Sequence, residues 1–197
     1  MRSLPLAALA LVCAVLGIQV AAGGGSFEPL HPADPCAARK VTSQADGIDG
    51  LTERLVLLGI DAAACRLHVT RETLTLDLAD PASRTDAQVG ALHDGLRSAV
   101  RRMKADGTLP PASDLVDEAL DAMDLNRLLK AAIRALPDSV VNAALKTDDI
   151  LLRTVDNLDL RDLLAHLDDP DDLQREIERA VTPAVRDSLE ARILGLV

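Results

Sequence analysis

From residue 85 onward, apolar residues recur every third or fourth position with few interruptions, the period of a helix that buries one face. Val89, Leu92, Leu96, Val100 and Met103 form the first such stripe. Thr85 and Gln88 stand in front of it at capping-box spacing. Arg97, Arg101 and Arg102 fall in its later turns, where cations suit the helix dipole, and Gly107 is placed to end it. Leu109-Pro110-Pro111-Ala112 interrupts the helical pattern and marks a subdomain boundary. Beyond it Ser113 caps a helix to about Met123, Asp124 starts one through Leu136, and Pro137 opens one to Lys146. Thr147, Asp159 and Asp169-Pro170 start the next three, and Thr182-Pro183 opens a last helix that Gly195 closes.

The pattern is less regular before residue 85. Asp34-Pro35 predicts a helix start, and the helix carries Cys36 to about Ala45, stopping at Asp46-Gly47. Residues 51–58 predict a second short helix, which Gly59 closes in the left-handed conformation; Asp61 caps a further turn or two through Cys65. Residues 66–78 fit two patterns. Leu67/Val69 and Leu74/Leu76/Leu78 alternate as in a hairpin, whereas Thr70 can cap a helix on which Leu74 and Leu78 share a face. A lone two-stranded hairpin is marginal, so the helix is preferred. The predicted fold class is all-α, a compact bundle of short helices.

A repeat organises the C-terminal half. Residues 114–132 return at 149–167, a shift of 35 (149 − 114), with Asp114, Asp121, Asp124, Leu125, Leu128 and Leu129 recurring as the same residue type. Leu115/Ile150, Val116/Leu151, Leu120/Val155 and Met123/Leu158 keep their apolar character. Repeats of this length read as stacked helical units. The expected organisation is a signal peptide at 1–22, a Gly/Pro-rich arm at 23–35, a disulfide-pinned helical subdomain at 36–107 and a duplicated helical subdomain at 113–197.

Composition adds an address and excludes several partners. Arg2, the apolar run 4–20 and the small residues Val20-Ala21-Ala22 have the form of a secretory signal cleaved before Gly23. The alternative is an anchor formed by the same 4–22 segment, barely long enough to span a bilayer. The formal charge of −10, which becomes −11 without Arg2, disfavours nucleic acid and anionic membrane surfaces. Phe27 is the only aromatic residue, so almost no ring is available to stack on bases. Arg predominates over Lys among the cations, a bias of GC-rich genomes that points to a bacterial protein. With Cys13 inside the signal, Cys36 and Cys65 remain, and two cysteines in an exported chain are expected to pair as a structural disulfide.

The candidates for chemistry are acids. Asp121-x-x-Asp124 and Asp156-x-x-Asp159 occupy equivalent places in the two copies and supply the oxygen donors a hard cation takes. The same positions suit caps and exposed turns, which is the preferred reading. Asp168-Asp169-Pro170-Asp171-Asp172, with His166 nearby, is likewise accounted for by helix initiation. His31, His68, His93 and His166 lack shared helix-face spacing, and His93-Asp94 is not expected to act as a dyad. No nucleophile elbow, zinc-protease motif, phosphate loop or dinucleotide fingerprint is present. No catalytic, cofactor-binding or metal-ligating residue is assigned, leaving Cys36 and Cys65 as the singled-out pair. The expected function is that of an exported, non-catalytic binding module at the cell envelope or outside the cell. Its partners would be a protein surface or a second copy met through apolar helix faces, or an apolar small ligand, with no stable membrane insertion after signal cleavage. The alternatives are a metal-dependent enzyme using the duplicated Asp pairs and an envelope protein anchored by an uncleaved N-terminal helix.

Overall fold

A computed structural model describes residues 34–37, 45–122 and 126–195, with the backbone alone at 122, 129 and 193–195. The described residues are helical throughout, with no strand among them: α1 (Gly47–Leu67), α2 (Arg71–Ala79), α3 (Asp86–Ala105), α4 (Ala112–Ala122), α5 (Arg127–Arg134), α6 (Asp138–Ala144), α7 (Thr147–Asn157), α8 (Leu160–Ala165) and α9 (Pro170–Gly195). The all-α expectation holds. The predicted segments 4–22, 23–33 and 38–44 lie outside the described residues, as do Asp124 and Leu125.

The largest departure from the sequence pattern is in α1. Gly59 does not end a helix, and Asp61 does not start one; a single helix runs from Gly47 to Leu67. Gly59 instead lies where α1 crosses α3, the most extensive helix pairing in the fold. A β-carbon at Gly59 would come within 2.6 Å of Leu96 Cδ2, and one at Gly95 within 2.3 Å of the Gly59 carbonyl oxygen. Ala63, Ala64, Ala91 and Ala99, all buried, continue the small-residue contact. The left-handed cap sits nine residues later at His68 (φ 55°), whose N–H bonds to carbonyls of the last turn. The stripe on α3 behaves as its spacing predicts: Leu92, Leu96, Val100 and Met103 are buried and Val89 packs against them.

Residues 66–78 adopt the preferred helical reading. Thr70 caps α2 by accepting the Thr73 N–H, and Leu74 and Leu78 point into the core. The capping box of Thr85 and Gln88 is complete at the head of α3, and Gly107 (φ 65°) ends it while Thr108 donates to the Met103 carbonyl. Helices on both sides of Pro110-Pro111 pack together: α1 meets α4, and α3 meets α7 and α8. Leu160 and Leu164 on α8 and Val155 on α7 belong to the same apolar core as α1–α3.

Two further corrections concern the C-terminal half. Thr182-Pro183 does not open a separate helix; Pro183 is inside α9. A proline there removes one backbone bond and crowds the preceding turn. Asn157 of α7 donates to the Ala180 carbonyl in that turn, at 3.2 Å. Ser113 and Thr147 lie inside their helices rather than capping them. Ser113 exchanges two 2.9 Å hydrogen bonds with Asn142 of α6, and the Thr147 hydroxyl donates to the Pro110 carbonyl.

The two stretches of the 35-residue register share their first helix and then differ. α4 and α7 have the same length and are offset by the 35 residues of the sequence register (147 − 112). Leu120 and Val155 are buried at equivalent places in them. After that the units diverge: α8 begins at Leu160 and α5 at Arg127, whose counterpart is Asp162. Leu128 is 85 % exposed, whereas Leu163 is half-buried.

Candidate functional site

Three features of the surface have the form of sites, and the acids singled out by sequence do not come together in any of them as a paired set. Asp121 is held by Arg134 at 2.6 Å, with Asp117 on the same guanidinium at 2.9 Å. Asp156 is paired with Arg97. Asp159 caps α8 by accepting the Arg161 and Asp162 N–H groups. In the Asp168–Asp172 run, Asp169 accepts the N–H groups of Asp171 and Asp172 at the start of α9. These carboxylates therefore serve as caps and ion-pair partners. Among the described residues no three His, Cys, Asp or Glu side chains converge as a cation would require.

The first feature is a cleft of about 430 Å³ between α3 and the α7–α8 turn, walled by Val89, Gly90 and His93 on one side and residues 157–161 on the other. Gly90 borders open space, since a β-carbon there would meet nothing within 4 Å. His93 sits on its edge between two carboxylates. Its Nε2 is 3.4 Å from Asp156 Oδ1 and its Nδ1 is 3.7 Å from Asp94 Oδ1. Each carboxylate also has a guanidinium, Arg97 on Asp156 and Arg66 on Asp94. The Arg66 hydrogen bond holds the Asp94 carboxyl below the usual carboxylate range. The Asp156 contact is long-range in sequence, which is why the neighbouring Asp94 is the only acid that spacing can offer His93. This cluster joins α1, α3 and α7. Val89, Leu158 and Leu160 give the cleft beside it an apolar wall.

The second feature is the seam between α7 and α9. Glu176, Ala180, Ala184 and Ser188 are buried at four-residue spacing along one strip of α9. Glu176 Oε1 accepts the Asp159 N–H at 3.2 Å, so α9 helps fix the α7–α8 turn that borders the cleft. At the other end Asp149 meets Arg153 at 3.1 Å and Arg192 at 3.8 Å. The Ser188 hydroxyl lies beside this carboxylate while falling short of hydrogen-bond geometry. Burial works against the charge on Asp149, but the Arg153 hydrogen bond and the charges of Arg153 and Arg192 favour it, and its carboxyl is held below the ordinary 3.8. Arg84 stitches the cleft region from behind, donating to the Leu78 and Leu164 carbonyls at 2.9 and 2.7 Å. Nothing in the periodicity distinguishes Arg84 from a solvated arginine.

The third feature is an apolar face on α5 and α6. Leu128, Leu136 and Val140 are exposed there, and Ala131, Ala132 and Ala135 are exposed between them. Arg134 turns the opposite way, toward Asp117 and Asp121 on α4. Spacing reveals an apolar stripe in residues 125–136, and sequence alone assigns such a stripe to the core. At Leu128 and Leu136 it is at the surface, and Val140 on α6 is exposed as well.

Cys36 and Cys65 are joined, with an S–S distance of 2.01 Å and Cα atoms 4.8 Å apart. The pair does not link a first helix to a third, the arrangement that separate helices at 51–58 and 61–65 would give, because Cys65 belongs to the last turn of α1. It ties the turn at 34–37 to that helix, over a second, smaller cavity of about 190 Å³. Among the described residues no helix is long and apolar enough to cross a membrane. No protein-family model, curated protein or solved structure matches the chain.

Proposed function

We propose that this chain is an exported, non-catalytic binding module that works at the cell envelope or outside the cell, docking through the apolar face of α5 and α6. One observation carries the reading. Leu128 on α5, Leu136 in the link to α6 and Val140 on α6 are large apolar side chains left in solvent within one short stretch, whereas the other exposed large apolar residues among those described, Val56, Leu76, Leu167 and Ile177, stand apart on separate elements. Scattered apolar residues need no explanation, but several on one face mark a contact surface. The fitting partner is an apolar protein surface, supplied by another protein or by a second copy of this chain. An export address rests on the N-terminal sequence pattern, and the disulfide suits an oxidising compartment. The anchored alternative shares this docking face and differs only in keeping residues 4–22.

The test is a Leu128→Asp/Val140→Asp chain expressed in the producing cell. It is expected to keep the helical circular dichroism and melting temperature of the native chain while losing the cross-linked species the native chain forms there. Retention of every cross-linked species would overturn the docking face. Fractionation tests the address separately: a chain in the culture supernatant that begins at Gly23 supports export with cleavage, and one left whole in the cytoplasm rules export out.

A further inference from the structure

The turn at 34–37 lies on a core that is complete without it. Asp34 folds it, accepting the Cys36 N–H on Oδ1 at 2.9 Å and the Ala37 N–H on its backbone oxygen at 3.1 Å, so both described hydrogen bonds of the turn are internal. The continuous apolar cluster built by α1, α2, α3, α7 and α8 includes no residue of 34–37. What the turn covers is the cavity of about 190 Å³, floored by Leu58, Asp61 and Ala62 on α1 and by Ser98, Ala99 and Arg102 on α3. The bond that holds it there is accessible, for Cys36 is exposed and Cys65 is half-buried.

From these features we infer that the Cys36–Cys65 disulfide is a releasable strap: thiol exchange frees the 34–37 turn and opens the groove between α1 and α3, leaving the helices folded. The reductant is a dithiol, either a small molecule or a protein with two neighbouring cysteines. Its first thiolate attacks Cys36 Sγ, the Cys36–Cys65 bond breaks, and Cys65 leaves as a thiolate that takes up a proton. The second thiol of the reductant then displaces Cys36 from the mixed disulfide. Two electrons and two protons pass to the protein, which ends with two thiols, and the dithiol ends as its own disulfide. Attack on Cys36 rather than Cys65 follows from exposure, since exchange requires access to the sulfur. This inference does not depend on the docking face of α5 and α6.

The experiment uses the full oxidised chain, dithiothreitol as the reductant and iodoacetamide to trap the thiols. Mass spectrometry should show both cysteines alkylated, while circular dichroism keeps its helical signal and the thermal transition remains cooperative. Amide exchange should accelerate at 34–37 and at 58–65 and stay unchanged in α7 and α9, which do not line the groove. A Cys36→Ser/Cys65→Ser chain should reproduce that exchange pattern without reductant. Collapse of the helical signal on reduction, or failure of the double variant to fold, would make the bond a staple of the whole fold and overturn the strap. Unchanged exchange at 58–65 would overturn it too, because the turn would then stay seated without its bond.

Discussion

At the crossing of α1 and α3 the side chain that matters is the one missing. A methyl group on Gly95 would face backbone, with the Gly59 carbonyl oxygen at 2.3 Å and the Ala63 nitrogen at 3.1 Å, neither of which can rotate away. Gly95→Ala is therefore expected to destabilise by about 1–3 kcal/mol, overpacking outweighing the gain in helix propensity. Gly90→Ala on the same helix meets nothing within 4 Å, so propensity alone acts and the change stabilises by up to about 1 kcal/mol. Urea titration of the two variants gives both signs, and equal effects would refute the close approach. Asp149 offers a pH-dependent counterpart. Its folded carboxyl titrates below its ordinary 3.8, so its contribution is present above that value and is lost as pH falls through the lower folded value. Asp149→Asn should then cost on the order of 1 kcal/mol at neutral pH, and the gap to the native chain should close below pH 3.8.

Elements are legible in the sequence where local chemistry decides them and illegible where packing does. Thr70, Thr85 with Gln88, Asp159 and Asp169 all cap the helices that the sequence assigns to them, because a side-chain oxygen and a nearby N–H settle the matter within three residues. Gly59 and Pro183 carry the same residue types as true helix ends, but each stays inside a helix that tertiary contact holds together. The second and third predicted helices are thus one, and so are the last two. The candidate acids are visible as residues and misleading as a site, since Arg134 and Arg97 reach them from distant positions that no periodicity pairs. The repeat separates at the same level. Leu128→Ala is expected to change stability by no more than about 0.5 kcal/mol, as exposed positions do, whereas Leu164→Ala, which empties a core position, should cost about 2–5 kcal/mol. The register pairs Leu128 with the half-buried Leu163, not with Leu164, and equal costs for Leu128 and Leu164 in a thermal or urea melt would refute their difference in burial.

On the scale of the whole molecule, the head of α1 depends on a residue that comes much later. Gly47 enters the helix at φ 63°, Asp46 in front of it makes no side-chain cap, and the Ile48 N–H is accepted by Glu118 Oε2 of α4 at 2.8 Å. The partner lies 70 residues further along, whereas caps ordinarily come from the residue next door. The Gly50 N–H of the same turn finds the Asp46 carbonyl at 3.1 Å, so α1 can close its crossing with α3 while the Ile48 N–H still has no protein acceptor from α4. The Ile48 bond closes only when α4 has docked. Glu118 thereby makes the beginning of the first described helix answer to a helix 70 residues away, and its loss should loosen the leading turn of α1 before its end.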